Sequence, residues 1–147
     1  MIYFDANYVV RCYLDEHGAA EVRALASAEE VACVEIGQVE ASAAFHRKMR
    51  EGAITPAKYA VLARQFEADL RDGWFMWLPL TPDLLAKARA TFTALPPTVF
   101  LRTADALHLV CAREAGFREV HTNDRHMLAA APHFGMQGLN VIPPSGH

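Results

Sequence analysis

Cysteine is scarce in this 147-residue chain, and what there is forms no pair. Cys12, Cys33 and Cys111 are odd in number, lie far apart and make no CxxC, which speaks against a disulfide framework or a thiolate metal centre. Each sits in an apolar run, the usual setting of a buried free thiol in a reducing cytosol. Long hydrophobic runs are missing as well: no stretch approaches the ~20 residues a bilayer demands. No basic patch precedes an apolar segment at the start, so neither export nor insertion is expected and a cytoplasmic location is. There is no excess of positive charge. The 14 Lys and Arg stand against 17 Asp and Glu, for a net charge of −3, which argues against a non-specific polyanion binder. Local basic stretches such as HRKMR at 46–50 remain available to phosphate. Repeats, low-complexity tracts and linkers are absent.

What is present is an ordinary globular balance, 52% hydrophobic and 21% charged residues, in a length suited to one core. One domain over residues 1–143 is expected, with PSGH at 144–147 as a frayed tail. Residues 1–6 read as a strand, followed by two helical stretches separated near Gly18. EVACVE at 30–35 is a short apolar strand, and a helical pattern runs from Ile36 to Arg50 through Val39 and Ala43. Thr55 and Pro56 open another helix, and Thr81 and Pro82 repeat the device. WFMWLPL at 74–80 reads as the third strand, EVHTN as the fourth and LNVIP at 139–143 as the fifth. Between them TADALHLVCAREAG is a strongly apolar helix and DRHMLAAAPHFG a short one. Strands that are continuous apolar runs, alternating with helices, are those of a sheet covered on both faces. The expected fold is a three-layer α/β/α domain around a central parallel sheet of about five strands.

In such sheets ligands bind beyond the carboxyl ends of the strands, where strand order reverses. Asp5 ends the first strand and Asp124 follows the fourth. Asp105 stands in the first turn of an otherwise apolar helix, and Glu40 lies one turn into the helix after strand two. Each acid alone has an ordinary reading: Asp5, Asp105 and Asp124 as caps or dipole partners, Glu40 as a solvated helix charge. Capping does not explain Glu40, which lies inside an Ala-rich helix. Glu35 competes with it, but five positions place the two roughly 140° apart around a helix of 3.6 residues per turn. Crowded carboxylates repel and favour protonation unless a cation compensates. All-oxygen donors select a hard ion, Mg²⁺ or Mn²⁺, over zinc. Such a site activates water against a phosphodiester.

MIYFDAN, VEASAAF, LRTADALHLVCA and HTNDRHM, in this order and spacing, resemble the PIN-domain ribonucleases, particularly the VapC-type toxins of type II toxin–antitoxin pairs. The resemblance spans Met1 to about Pro143. It implies an endoribonuclease in which Asp5, Glu40, Asp105 and Asp124 are the catalytic acids that hold Mg²⁺ or Mn²⁺, with Asn7 and Thr122 as supporting polar residues. It also implies inhibition by a small VapB-like antitoxin, and a homodimer or toxin–antitoxin hetero-oligomer. The stretch YVVRCYL at 8–14 and the helix over 55–72 are where such a partner is expected to lie, although Val9, Val10 and Leu14 read better as core. Two positions depart from the family pattern: Ala6 replaces the usual Thr or Ser after the first acid, and Arg11 stands where Lys is common.

Other residues read more plainly. His121 and His126 straddle Asp124 without metal-finger spacing, and His108 reads as a packed or supporting residue rather than a ligand. Trp74 and Trp77 read as core before they read as a base-stacking platform. Arg47 and Arg50, at the end of the helix carrying Glu40, are possible phosphate contacts. A haloacid-dehalogenase site wants a second Asp where Asn7 stands, and a receiver domain wants an acceptor Asp after strand three; neither pattern is met. Two alternatives stay open: a non-catalytic PIN-like binding module and a housekeeping RNA-processing nuclease.

Overall fold

Tyr3 and Phe4 are adjacent in sequence and fully buried, yet they belong to two different cores. The computed structural model describes residues 1–146; His147, at the end of the expected tail, lies outside them. The chain runs β1 (Ile2–Tyr3), α1 (Ala6–Arg11), α2 (Ala19–Ala28), β2 (Val31–Val34), α3 (Ile36–Arg50) and α4 (Pro56–Asp72). It continues through β3 (Met76–Leu78), α5 (Pro82–Ala94), α6 (Thr103–Glu114), β4 (Glu119–His121), α7 (Arg125–Ala130), a 3-10 turn (Ala131–Phe134) and β5 (Gln137–Leu139). Side chains alternate across the sheet as the pleat requires. Tyr3, Ala32 and Val34 pack under α5, α6 and the 3-10 turn, whereas Phe4, Val31 and Cys33 pack under α1 to α4. Every residue of β2 is buried, which is why it reads as an unbroken apolar run.

All the strand pairs are parallel, in the order β3–β2–β1 and β4–β5. The ladders are smaller than the expected central sheet of about five strands. The two groups meet through a single parallel bridge between Phe4 and His121, reinforced by the Asp5 N–H, which donates to the His121 carbonyl at 3.1 Å. Strand order therefore reverses between β1 and β4, and the crevice at their carboxyl ends is the switch point of the fold.

The helices start and stop where their caps dictate. Thr55 and Thr81 accept from the amides of Lys58 and Leu84, each followed by a proline in the first turn. Inside α3 the buried stripe is Gly37, Ala41 and Phe45, not the expected line through Val39, which is exposed. Gly37 permits close approach: a Cβ there would lie 2.5 Å from Cys33 Sγ on β2. Phe45 meets Phe66 of α4 edge to face at 5.6 Å, worth about 0.5–1.5 kcal/mol beyond the area both bury.

Two expectations fail for visible reasons. The fifth strand lies at Gln137–Leu139, ahead of the expected 139–143, because the Asn140 side chain accepts from the Ile142 amide and turns the chain out of the ladder. The apolar character of the later residues serves Ile142, which is buried against Gly18. Trp74 is 71% exposed rather than core, since it precedes the edge strand β3. Trp77 is partly buried against the second core. The three cysteines are free thiols, Cys33 and Cys111 buried. Among the described residues no helix is long and apolar enough to cross a membrane.

Candidate active site

Asp5 leaves β1 at its carboxyl end and is 3% exposed. It caps α1, one carboxylate oxygen accepting from the Tyr8 amide at 2.9 Å, while the other accepts from the Thr122 hydroxyl at 2.5 Å. Burial pushes its pKa up from 3.8 to about 6, against the hydrogen bonds from Thr122 and Tyr8, and the nearby charge of Glu40 pushes the same way. The hydroxyl that reaches Asp5 comes from Thr122, just after β4.

Asp124 caps α7, one oxygen accepting from the amides of His126 and Met127. Its other oxygen accepts from the Arg102 guanidinium at 2.8 Å. Arg102 precedes α6 and reaches Asp105 in its first turn at 3.4 Å, so one cation joins the two acids. Burial raises the pKa of Asp105, the charge of Asp124 adds to the rise, and the Arg102 guanidinium opposes it. Capping is therefore part of the work of Asp5 and Asp124, but each has a second oxygen directed elsewhere.

Glu40 is held differently. His108 Nε2 lies 2.7 Å from its carboxylate, and His108 Nδ1 lies 2.8 Å from the hydroxyl of Tyr3. Glu35 points away: its carboxylate accepts from the Leu80 amide beyond β3. Glu40 and Asp105 both line a cavity of about 950 Å³, together with Asn7, Arg47, Arg50 and Arg102. On α3, Glu40, Ala43, Ala44 and Arg47 share a face at helical spacing, which carries the acid and the base to one opening.

A family model for the PIN domain matches residues 2–132. The chain is a PIN domain. No curated protein sequence matches it. Among solved structures, it is similar to FitAB bound to an IR36 DNA fragment, at 16% identity and TM-score 0.70, over 100% of this chain and 99% of the other. It is similar to FitAcB from Neisseria gonorrhoeae at 17% identity and TM-score 0.70, over 95% and 97%. The sarcin–ricin-loop-cleaving toxin VapC20 of Mycobacterium tuberculosis aligns at 14% identity and TM-score 0.67, over 88% and 95%. At these identities the likeness is one of fold.

The donor chemistry of this PIN domain suits a hard divalent cation: four carboxylates, no thiolate, and two acids, Asp5 and Asp105, whose pKa values are raised by burial and by the neighbouring charges of Glu40 and Asp124 respectively. Yet no three His, Cys, Asp or Glu side chains among the described residues stand grouped as a ready-made metal site. Arg102 accounts for part of this, because its guanidinium holds the carboxylates of Asp105 and Asp124. A cation held by Asp5, Glu40, Asp105 and Asp124 would displace that guanidinium from one or both.

Two contributors escape sequence reasoning. Arg102 left one signal, its spacing of three residues before Asp105 on a helix. Tyr3 left none, since a strand tyrosine whose hydroxyl reaches a histidine 105 residues away looks like any core aromatic.

Proposed function

We propose that this PIN domain is a VapC-type toxin, a divalent-metal-dependent endoribonuclease held inactive by a cognate antitoxin. The observation that carries the reading is one cavity that brings Glu40 and Asp105 together with the cations Arg47, Arg50 and Arg102, beside Ala6 and Asn7, which follow Asp5 in the chain. Mg²⁺ or Mn²⁺ bound there supplies an activated water and charge stabilisation for a phosphodiester. The chain's own residues do the rest. Asp5, Glu40, Asp105 and Asp124 are the ligands and catalytic acids, with Thr122 fixing the carboxylate of Asp5 and Asn7 at the cavity wall. Arg47 and Arg50 receive backbone phosphates, which gives affinity without reading sequence. VapC20, similar in fold, is a sarcin–ricin-loop-cleaving toxin, and hydrolysis of RNA in the cytoplasm is the corresponding reading for this chain.

The partner is a small VapB-like antitoxin, and the toxin is a homodimer or part of a hetero-oligomer with it. Tyr8, Val9, Val10 and Leu14 are buried, which removes most of the 8–14 stretch as a docking surface. The exposed apolar side chains Val61, Trp74 and Met76, on α4 and just beyond it, are the better place.

A non-catalytic module is the reading to test against, because Arg102 already pairs with two of the four acids. The experiment is cleavage of a labelled RNA pool with EDTA, Mg²⁺ or Mn²⁺ by wild type, Asp5→Asn and Asp105→Asn. Metal-dependent cleavage lost in both variants is expected. Equal cleavage by all three proteins would mark a contaminant, and a folded wild type that neither cleaves nor binds Mn²⁺ would leave the module.

A further inference from the structure

His108 is 1% exposed in the middle of α6, where seven of its neighbours from Asp105 to Ala112 are also buried. A buried imidazole needs partners for both ring nitrogens, and here the partners form a chain. The Val34 amide lies 3.2 Å from the Tyr3 hydroxyl oxygen, that oxygen 2.8 Å from His108 Nδ1, and His108 Nε2 2.7 Å from Glu40 Oε1.

One placement of hydrogens satisfies every atom. A carboxylate only accepts, so Nε2 carries a hydrogen and donates it to Glu40. The bare Nδ1 accepts from the Tyr3 hydroxyl, and the Tyr3 oxygen accepts from the Val34 amide, which has no freedom to move because β2 lies between two parallel neighbours. A hydrogen on Nδ1 instead would crowd two donors onto the Tyr3 oxygen. It would leave the Tyr3 O–H, at 0% exposure, with no acceptor in view. Burial keeps that phenol protonated, its pKa pushed well above the usual value.

The chain of bonds ends on an acid that neither caps a helix nor pairs with an arginine. Asp5 and Asp124 are oriented by the helix amides they cap, and Asp105 by the Arg102 guanidinium. Glu40, with a longer side chain inside α3, has only His108 among the described residues. We propose that His108 is a positioning residue, which fixes the Glu40 carboxylate at the cavity and is itself held by Tyr3 and the Val34 backbone. The purpose served, a Glu40 ready for a metal ion, rests on the nuclease reading; the relay itself does not.

The test separates the two. Two-bond ¹H–¹⁵N correlation of the histidines in the metal-free protein reads the ring directly. A His108 signal with hydrogen on Nε2, which moves in Glu40→Gln and loses its single tautomer in Tyr3→Phe, is expected. Hydrogen on Nδ1, or a signal indifferent to Glu40→Gln, overturns the proposal. Mn²⁺ titration of the same samples reads the consequence. His108→Leu, whose packing suits the apolar helix, is expected to weaken binding about tenfold or more, the usual effect of removing the partner that orients a ligand. His108→Gln, whose amide reaches as Nε2 does, is expected to restore most of it. His108→Leu should add little to Glu40→Gln, because it acts through that residue. Leu and Gln variants that bind alike, or a Leu variant equal to wild type, would overturn the positioning role. If the wild type takes up no Mn²⁺ while the Nε2 signal behaves as expected, the metal reading falls and the relay stands.

Discussion

The hydroxyl of Thr122 donates to Asp5 across 2.5 Å, from the end of one parallel strand to the end of its neighbour. Both groups are buried, so the bond is charge-assisted and dry. It favours the ionised carboxylate and opposes the burial that raises its pKa. Thr122→Val keeps the volume and removes the donor, which is expected to cost about 1.5–3 kcal/mol of stability at pH 7.5. The loss should be smaller at pH 5, where Asp5 is largely protonated. Urea unfolding at the two pH values checks this, and equal losses would assign the cost to the Asp124 amide, which donates to the same hydroxyl at 3.0 Å, and not to the bond with Asp5.

Asp5 itself makes the metal-free fold less stable at neutral pH. Its folded pKa of about 6 lies above the ordinary 3.8, so the folded protein holds this proton more tightly than the unfolded chain. Its contribution is therefore best below about pH 4, worsens as pH climbs to about 6, and stays unfavourable above, by about 3 kcal/mol. Asp5→Asn keeps an oxygen for the Tyr8 amide and cannot ionise. In EDTA it is expected to melt several degrees above wild type at pH 7.5 and no higher at pH 4. A variant that melts lower at pH 7.5 would show that the carboxylate is satisfied as it stands.

Gly37 sets how near the helix carrying Glu40 comes to β2. A Cβ at this position meets Cys33 Sγ at 2.5 Å, and Cys33 is buried and paired with Trp77 in the ladder with β3. Gly37→Ala is expected to cost about 1–3 kcal/mol as an overpacked core. Cys33→Ala should relieve most of it, so that the double variant is more stable than the two single effects sum to. Strict additivity in urea unfolding would mean that the helix shifts freely and that this contact does not position it.

How much of this could be read beforehand depended on whether the cause was local. The bounds of α3 and α4 follow from periodicity and from Thr55, Pro56 and Gly73, all adjacent to what they control. The carboxylates at 5, 40, 105 and 124 were visible because strand ends and helix starts mark them in the chain. What joins them was not. The pairing of His108 with Glu40 spans 68 positions, and that of Thr122 with Asp5 spans 117, so no window along the chain contains either. The fifth strand slipped for a similar reason: Ile142 is apolar because of Gly18, far away in sequence, and not because of a ladder.

Arg102 holds the same two carboxylates that a divalent cation would take, so the two compete. Its side chain is 61% exposed, which makes each ion pair weak, about 0.2–1 kcal/mol apiece. Arg102→Gln is therefore expected to tighten Mn²⁺ binding by roughly two- to thirtyfold, the equivalent of losing both pairs. Calorimetric titration checks this. Weaker Mn²⁺ binding in the variant would mean that Arg102 organises the acids for the metal instead of opposing it.

Arg47 and Arg50 face the same cavity from the end of α3, and neither is buried. Arg47 has only a loose contact with Glu51 at 3.9 Å, so its charge remains available to an incoming anion. If each neutralises one RNA phosphate, Arg47→Ala and Arg50→Ala should weaken RNA binding about equally for all sequences. Each should also reduce the slope of log affinity against log salt by about 0.7, the value for a single strand. Mn²⁺ affinity should not change in either, because neither arginine touches an acid of the site. Binding measured across a salt series in EDTA with Asp105→Asn protein, expected to be inactive, separates the alternatives. A fall in affinity with an unchanged salt slope would assign these arginines to the fold of the helix end, and the phosphate path would have to be sought along another face of the cavity.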